Sequence, residues 1–336
     1  MAGGDRMNRY ARQICLPEIG ATGQAALQAA HVLVVGLGGL GAPVLQYLAG
    51  AGIGRLTLVD GDVVSLSNLH RQTLFRESDI GKGKAAVAAR TLGDLNAGCI
   101  IKPVDTPLDP ANVTALVAQS TLVLDCADSF ATSYVLSDTC KAMNTPLISA
   151  SALGFAGYVG GFCHSAPSLR AVFPDLPDRA ATCATAGVMG PVVGMVGAAQ
   201  AQMALAVLIG QSPSPLGQLI QFDMQNFRSS GFRFDTAPDP APDLTFIAAS
   251  NVTPTDFVVE LRGTEEAAQI AQNAQRLTVA AFAEQKPTPA TNQRAVFVCR
   301  SGLRAWQAAT VLRSYWGGTI NLIAMGETPP TERKPT

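Results

Sequence analysis

Near the C-terminal end of the chain an apolar run stops on a cysteine, in VFVCRSGLRAW (296–306). Cys299 is followed at once by Arg300, Ser301, Gly302 and Arg304. A thiol at a strand end, set between arginines, reads as a reactive thiolate held in a loop. A second set of chemistry-bearing residues lies far ahead of it. Arg9 and Arg12 stand in NRYARQ, Asp60 and Asp62 in VDGD, Asn68, Arg71 and Gln72 in NLHRQ, Lys84 in GKGKAA and Asp128 in DCADS. Cations from several segments, with a carboxylate to hold a divalent ion, suit attack on a phosphoanhydride. Hydride transfer needs instead a dry ring pocket and one acid/base. Taken singly, each residue also fits a plainer role: the arginines in surface ion pairs, Lys84 on a solvated helix face, Asp128 as a helix N-cap.

What unites them is a glycine-rich turn. GLGGLG (36–41) follows the apolar run HVLVVG (31–36) and opens a helical pattern over 43–51. Gly36, Gly38, Gly39 and Gly41 let backbone approach a pyrophosphate, and the helix start favours its charge. Asp60, at the end of the next strand, is in the position of a ribose-binding carboxylate. The turn alone does not distinguish NAD, FAD and ATP, so at this point a nicotinamide- or flavin-dependent oxidoreductase stays open beside an adenylating enzyme.

The elements that must position these groups alternate. Strands are expected at 31–36, 55–60, 99–104, 121–126 and 146–151, with helices over 43–51, 83–95, 110–119 and 130–143 between them. Nearly unbroken apolar strands between helices imply an α/β fold, a Rossmann-like doubly wound and mainly parallel sheet covered on both faces. GYVGGFC (157–163), a Pro/Asp-rich loop (167–179), an apolar helix (187–209) and a strand (219–223) complete a first domain over 1–235. TAPDPAPD (236–243) marks a linker, taken as 236–249. Beyond it a strand (256–261), a helix (264–276), a Pro-rich loop (286–290) and the cysteine segment form a small α/β domain over 250–336.

Composition bounds the rest. The chain has 336 residues, 48% hydrophobic and 15% charged, with a formal net charge of −1 and 24 Lys+Arg. That balance argues against nucleic acid as a main partner. The N-terminal stretch lacks an apolar signal core, and the apolar segment 187–209 is broken by Pro191, Gln200 and Gln202, so a buried helix rather than a membrane span is expected. Seven cysteines (15, 99, 126, 140, 163, 183, 299) include no C-x-x-C pair. Neither a disulfide framework nor a structural zinc site is expected, and the chain reads as cytoplasmic.

In order and spacing, RYARQ, VLVVGLGGLG, LTLVDGDVVSLSNLHRQ, GKGKAA, LVLDCADS and CATAGVMGPVVG resemble the ubiquitin-activating-enzyme-like adenylating proteins typified by MoeB and ThiF, over about residues 8–234. By that resemblance Gly36, Gly38, Gly39 and Gly41 line an ATP site, and Asp60 binds the ribose. Asn68, Arg71 and Lys84 contact phosphates, with Asp62 and Gln72 beside them, and Asp128 binds Mg²⁺. Arg12 matches an arginine that reaches in from the other subunit of a homodimer. The implied substrate is the C-terminal glycine carboxylate of a small ubiquitin-like sulfur carrier of ThiS or MoaD type, ending in Gly-Gly. Adenylation of a non-protein carboxylate, such as that of a modified tRNA base, is the nearer alternative. Such proteins commonly hold zinc with two C-x-x-C pairs, whereas the corresponding HSAPSLRAVFP (164–174) and QFDMQNFRSSGFRFD (221–235) contain no cysteine.

Two cysteines bear on sulfur. Cys183 matches a position where relatives carry a cysteine near the adenylate, and it reads equally as a small buried residue. CRSGLR resembles the active-site loop of rhodanese sulfurtransferases, and DFVVELRGTEEA (256–267) resembles their first strand. The resemblance implies a Cys299 persulfide with lowered thiol pKa, loaded from thiosulfate or a cysteine desulfurase. The segment is shortened and lacks the usual middle element and Trp-terminated helix, so a degenerate domain with a spared loop is the competing reading.

Overall fold

The five apolar runs of the first half become five neighbouring parallel strands; those inside the sheet are buried by the helices between them, while the edge strand of the set stays largely exposed. The computed structural model describes residues 9–176, 187–241 and 243–326. Within the first two thirds of the chain the order is α1 (Ala11–Ile14), α2 (Gly20–Ala29), β1 (His31–Val35), α3 (Gly41–Ala51), β2 (Arg55–Val59), α4 (Lys84–Leu95), β3 (Ile100–Val104) and α5 (Val113–Val117). It continues with β4 (Leu122–Asp125), α6 (Phe130–Ala142), β5 (Leu147–Leu153), β6 (Ala156–Phe162), α7 (Leu169–Val172), α8 (Gly190–Leu208), β7 (Gln218–Asp223) and β8 (Arg228–Arg233).

The strands form one sheet in the order β3-β2-β1-β4-β5-β6-β7-β8, antiparallel from β5 onward. Strand order reverses between β1 and β4, which opens a crevice at their C-terminal ends. The glycine turn, the end of β2 and the segment after β4 all meet there. At Gly36 φ is +86°, and a Cβ would lie 2.7 Å from the Cys126 carbonyl group, so only glycine lets the β1 turn pass under the β4 turn.

Helix α8 is long and apolar enough to cross a membrane, yet half of it is buried inside the fold, packed on α3, β5 and β6. Its fully buried Gln200 ties two strands together, with Nε2 donating to the carbonyls of Asp125 (2.7 Å) and Ile148 (3.0 Å). Burying that amide is tolerable only because both donors are used.

The C-terminal part holds β9 (Leu244–Phe246), β10 (Phe257–Glu260), β11 (Gln275–Arg276), α9 (Val279–Gln285), β12 (Ala295–Cys299), α10 (Leu303–Arg313) and β13 (Ile320–Ala324). They make a second, all-parallel sheet in the order β11-β10-β12-β13-β9. Three expectations are corrected. The linker 236–249 does not remain irregular to its end, because Leu244–Phe246 pairs with Ile320–Leu322 as a sheet edge. No helix forms over 264–276. Glu260, fully buried, accepts the guanidinium of Arg262 (2.7 and 2.8 Å) and the backbone N–H groups of Arg262 and Ile270. Arg276 donates to the carbonyls of Arg262 and Ala267. Groups a helix would need are thus engaged by side chains. The expected helix over 110–119 also shortens, to Val113–Val117.

Candidate active site

A cleft of about 370 Å³ lies at the C-terminal ends of β1, β2 and β4. Its floor is the glycine turn. Gly36, Gly38 and Gly39 line it, and a Cβ on Gly38 would approach Gln72 Nε2 at 3.4 Å. Gly41 does not line it but packs under the turn, where a Cβ would collide with the Gly36 carbonyl oxygen. Asp60 clamps the turn: its carboxylate accepts the N–H of Leu37 (2.8 Å) and of Asp62 (2.8 Å). Burial raises the Asp60 pKa above the ordinary carboxylate value, against the pull of Lys84.

Lys84 begins α4, is buried and lines the cleft. Its Nζ meets Asp62 Oδ2 at 2.9 Å, and that carboxylate is 76% exposed. Arg71 lines the same wall, its Nη1 donating to the Ser67 carbonyl (3.1 Å) and lying 2.8 Å from His70 Nε2. Gln72 is buried, and its Oε1 is the one buried side-chain oxygen or nitrogen without a hydrogen-bond partner among the described residues. An acceptor in that state, on a cleft wall, suits a ligand donor. Asp128 stands exposed on the rim, just past β4.

Two expected residues lie elsewhere. Asn68, at the end of a short 3-10 turn, does not line the cleft and uses its carbonyl to cap the backbone of Arg71 and Gln72. Arg12 is exposed on α1 and does not line the cleft either. Cys183 lies outside the described residues.

Sequence reasoning passed over three residues here. Asp125 ends β4 fully buried, accepting Ser149 Oγ (2.8 Å) and the Ala127 N–H (3.2 Å), and burial pushes its pKa up to about 6. It stands first in the DCADS motif and was the legible one. Tyr134 on α6 lines the cleft while its hydroxyl donates to the Phe173 carbonyl at 2.6 Å. Arg170 is buried, bidentate to Asp138 (2.7 and 2.8 Å), and 4.6 Å above the Tyr134 ring. Nothing in the local sequence signals those long-range contacts.

Among the described residues no three His, Cys, Asp or Glu side chains gather to hold a metal. Within 164–174, Ser168 takes part in a polar clasp centred on Asp239. Asp239 accepts the Ser168 N–H (2.7 Å) and the Lys141 ammonium (2.7 Å).

Cys299 ends β12 and is fully buried. Its sulfur accepts N–H groups from Gly302 (3.1 Å) and Ala305 (3.3 Å), as a curled loop before a helix should provide. The expected lowering of its pKa does not follow. Burial raises the thiol above its ordinary value, outweighing those donors and the Arg304 charge. Arg304 is itself neutralised by Glu266 (2.6 and 2.9 Å). The loop packs on its own sheet and against α6: a Cβ on Gly302 would lie 2.8 Å from the Phe246 ring of β9 and 3.3 Å from Ala131 on α6.

The strand order, the crevice and the clamped glycine turn define a Rossmann-like domain with a cleft at its switch point, lined by cations from α4 and the segment before it. Residues 10–243 match the ThiF family, and the chain belongs to that family. It is 41% identical over 247 residues to the adenylyltransferase and sulfurtransferase MOCS3 of Xenopus laevis, covering 71% of this chain and 55% of that one. It is 38% identical over 236 residues to the SAMP-activating enzyme E1 of Haloferax volcanii, covering 70% of this chain and 87% of that one. The chain spans about half the length of the MOCS3 relatives it matches. In fold it resembles E. coli MccB, with a TM-score of 0.61 at 22% identity over 70% of this chain and 72% of that one.

Proposed function

We propose that this protein uses ATP to adenylate the C-terminal glycine carboxylate of a small ubiquitin-like sulfur carrier, and that Cys299 then supplies sulfur. One observation carries the first half. Lys84 and Arg71, from different elements, face the same cleft as an open glycine turn and the rim carboxylate Asp128. Two cations and a carboxylate around such a turn fit a triphosphate better than a nicotinamide or flavin ring. The relatives' names, which pair adenylyltransferase with sulfurtransferase and activating enzyme, support the same reading.

The carrier carboxylate oxygen attacks the α-phosphorus, its bond to the pyrophosphate oxygen breaks, and acyl-adenylate and pyrophosphate result. Lys84, released from Asp62, and Arg71 offset charge on the phosphates. The backbone of Gly36, Gly38 and Gly39 admits them closely, and Asp60 holds the turn in shape and stands near the ribose. Asp128 is the residue to hold Mg²⁺. With Mg²⁺ bound there, Asp128 would be its protein ligand, and the ion would supply charge neutralisation at the pyrophosphate leaving group. Arg12, exposed on α1, is assigned to the partner subunit's cleft in a homodimer.

For the second half, a persulfide on Cys299 attacks the acyl carbon, and AMP leaves with the acyl C–O electron pair. A thiol reductant then cleaves the resulting acyl disulfide to free the carrier thiocarboxylate. The N–H groups of Gly302 and Ala305 are placed to stabilise that sulfur. The sulfur source is thiosulfate or a cysteine-desulfurase persulfide. Carrier-dependent ATP–pyrophosphate exchange tests the reading. Asp128→Ala should lower exchange at least about 100-fold, the scale on which loss of an electrostatic group at a reacting phosphate is felt, and unchanged exchange would remove the metal role.

A further inference from the structure

The cleft belongs to the first domain, yet one of its walls is propped from the second. Tyr134 and Phe173 both line the cleft, and the Tyr134 hydroxyl holds the Phe173 carbonyl at 2.6 Å. Behind Tyr134, away from the cleft, stands Trp306 of α10, their ring centroids 5.4 Å apart and the planes at 51°. Trp306 is 5% exposed and does not line the cleft. Arg170 fixes both rings. Its guanidinium lies 4.6 Å from the Tyr134 centroid and 5.8 Å from that of Trp306, and it donates to the Leu244 carbonyl (2.9 Å) at the start of the second sheet. Tyr134, Leu176 and Trp306 share one buried apolar cluster with the interior of the C-terminal domain.

We infer that Trp306 is a positioning residue for the nucleotide cleft: through Tyr134 it holds the Phe173–Leu176 wall in place, so that docking of the C-terminal domain sets how tightly the cleft grips ATP. This rests on the adenylation reading and extends it, because that reading gives the C-terminal domain no part in nucleotide binding. The physical link is short. Trp306 restrains the Tyr134 ring, and a Tyr134 that turns away releases the Phe173 carbonyl and with it the wall. Trp306 also lies one helical turn past the Cys299 loop, its N–H bonded to the Gly302 carbonyl (2.9 Å). Grip on the nucleotide and placement of the sulfur loop therefore depend on the same docked state.

The chain has two tryptophans, so Trp316→Phe leaves Trp306 as the sole emitter. In that full-length protein saturating ATP should shift or quench the tryptophan emission, with a midpoint equal to the calorimetric Kd. Trp306→Leu should weaken ATP binding about two- to tenfold, the fold-change that loss of one aromatic pair converts to. It should raise KM for ATP with kcat nearly unchanged, and Trp306→Phe should restore both. Heat of ATP binding without any change in Trp306 emission overturns the inference alone. So does a folded Trp306→Leu protein with wild-type ATP affinity. Should Trp306→Leu fail to fold, the emission titration on the intact core decides by itself. Absence of binding heat in the unaltered protein overturns the adenylation reading and this inference together.

Discussion

Replacing Arg170 with alanine tests what shelters Cys299. The guanidinium is 5% exposed and pairs in two hydrogen bonds with Asp138, whose side chain is 26% exposed. It also donates to Leu244 and lies over Tyr134, so it spans the contact between the two domains. Removing one partner of a buried ion pair costs about 3–5 kcal/mol. Asp138 reaches some water, which places Arg170→Ala at the lower end, about 3 kcal/mol. If that loss falls on docking, the undocked fraction rises roughly 150-fold, since each 1.4 kcal/mol is a factor of ten. The assay is timed alkylation with iodoacetamide at mildly alkaline pH, read by mass spectrometry on the Cys299 peptide, with the exposed Cys15 as internal reference. Labelling at Cys299 should speed up by about two orders of magnitude. Undocking also returns water to the thiol, so its raised pKa should fall toward the ordinary value and the pH profile should move to lower pH. A folded Arg170→Ala protein whose Cys299 labels at the wild-type rate and with the wild-type pH profile would refute the reasoning.

Arg12→Ala should lose pyrophosphate exchange and regain part of it when mixed with Asp128→Ala subunits, because each hybrid dimer then holds one intact composite site; mixing without recovery counts against an arginine supplied in trans. Cys299→Ala should leave exchange within about twofold of wild type while abolishing thiocarboxylate formation from thiosulfate, measured by mass spectrometry of the carrier; thiocarboxylate at the normal rate would show the loop to be a relic. Asp239 is pulled below the ordinary carboxylate pKa: burial opposes its charge, but the Lys141 ammonium and the Ser168 bonds outweigh burial. A lowered folded-state pKa gives stability that is present above the unfolded value and lost as pH falls through the folded one. Asp239→Asn should therefore lower Tm by roughly 2–4 °C near neutral pH, as for loss of about 1 kcal/mol, and the difference should vanish in acid.

The parallel half of the large sheet is legible in the sequence because β1 and β4 are buried along their length and must be apolar at nearly every position. The glycine turn is legible for a steric reason, as Gly36 and Gly41 admit no Cβ. Lys84 and Asp128 follow from their places at element starts and strand ends. Local pattern fails where long-range polar contacts decide. The pattern of 264–276 reads as a helix, but a buried Glu260 draws that backbone into a loop. Cys299 looks activated from its neighbours in sequence, yet its burial raises the thiol pKa by more than the loop N–H groups and Arg304 lower it. Arg12 and Asn68 do not line the cleft, because motif spacing does not say where a side chain points. Tyr134, Arg170 and Trp306 meet only after two domains dock, which no window of sequence contains.

The chain between Phe234, buried in the first domain, and Leu244, buried in the second, is short. Fully extended it spans roughly 35 Å. The domain that carries Cys299 is therefore leashed. Even detached from α6 it samples only a small volume around the cleft, which gives its sulfur an effective concentration in roughly the millimolar range for any acyl-adenylate within reach. Encounter is then set by tether length rather than by how much protein the cell makes, and dilution should slow carrier capture without slowing the step that follows it.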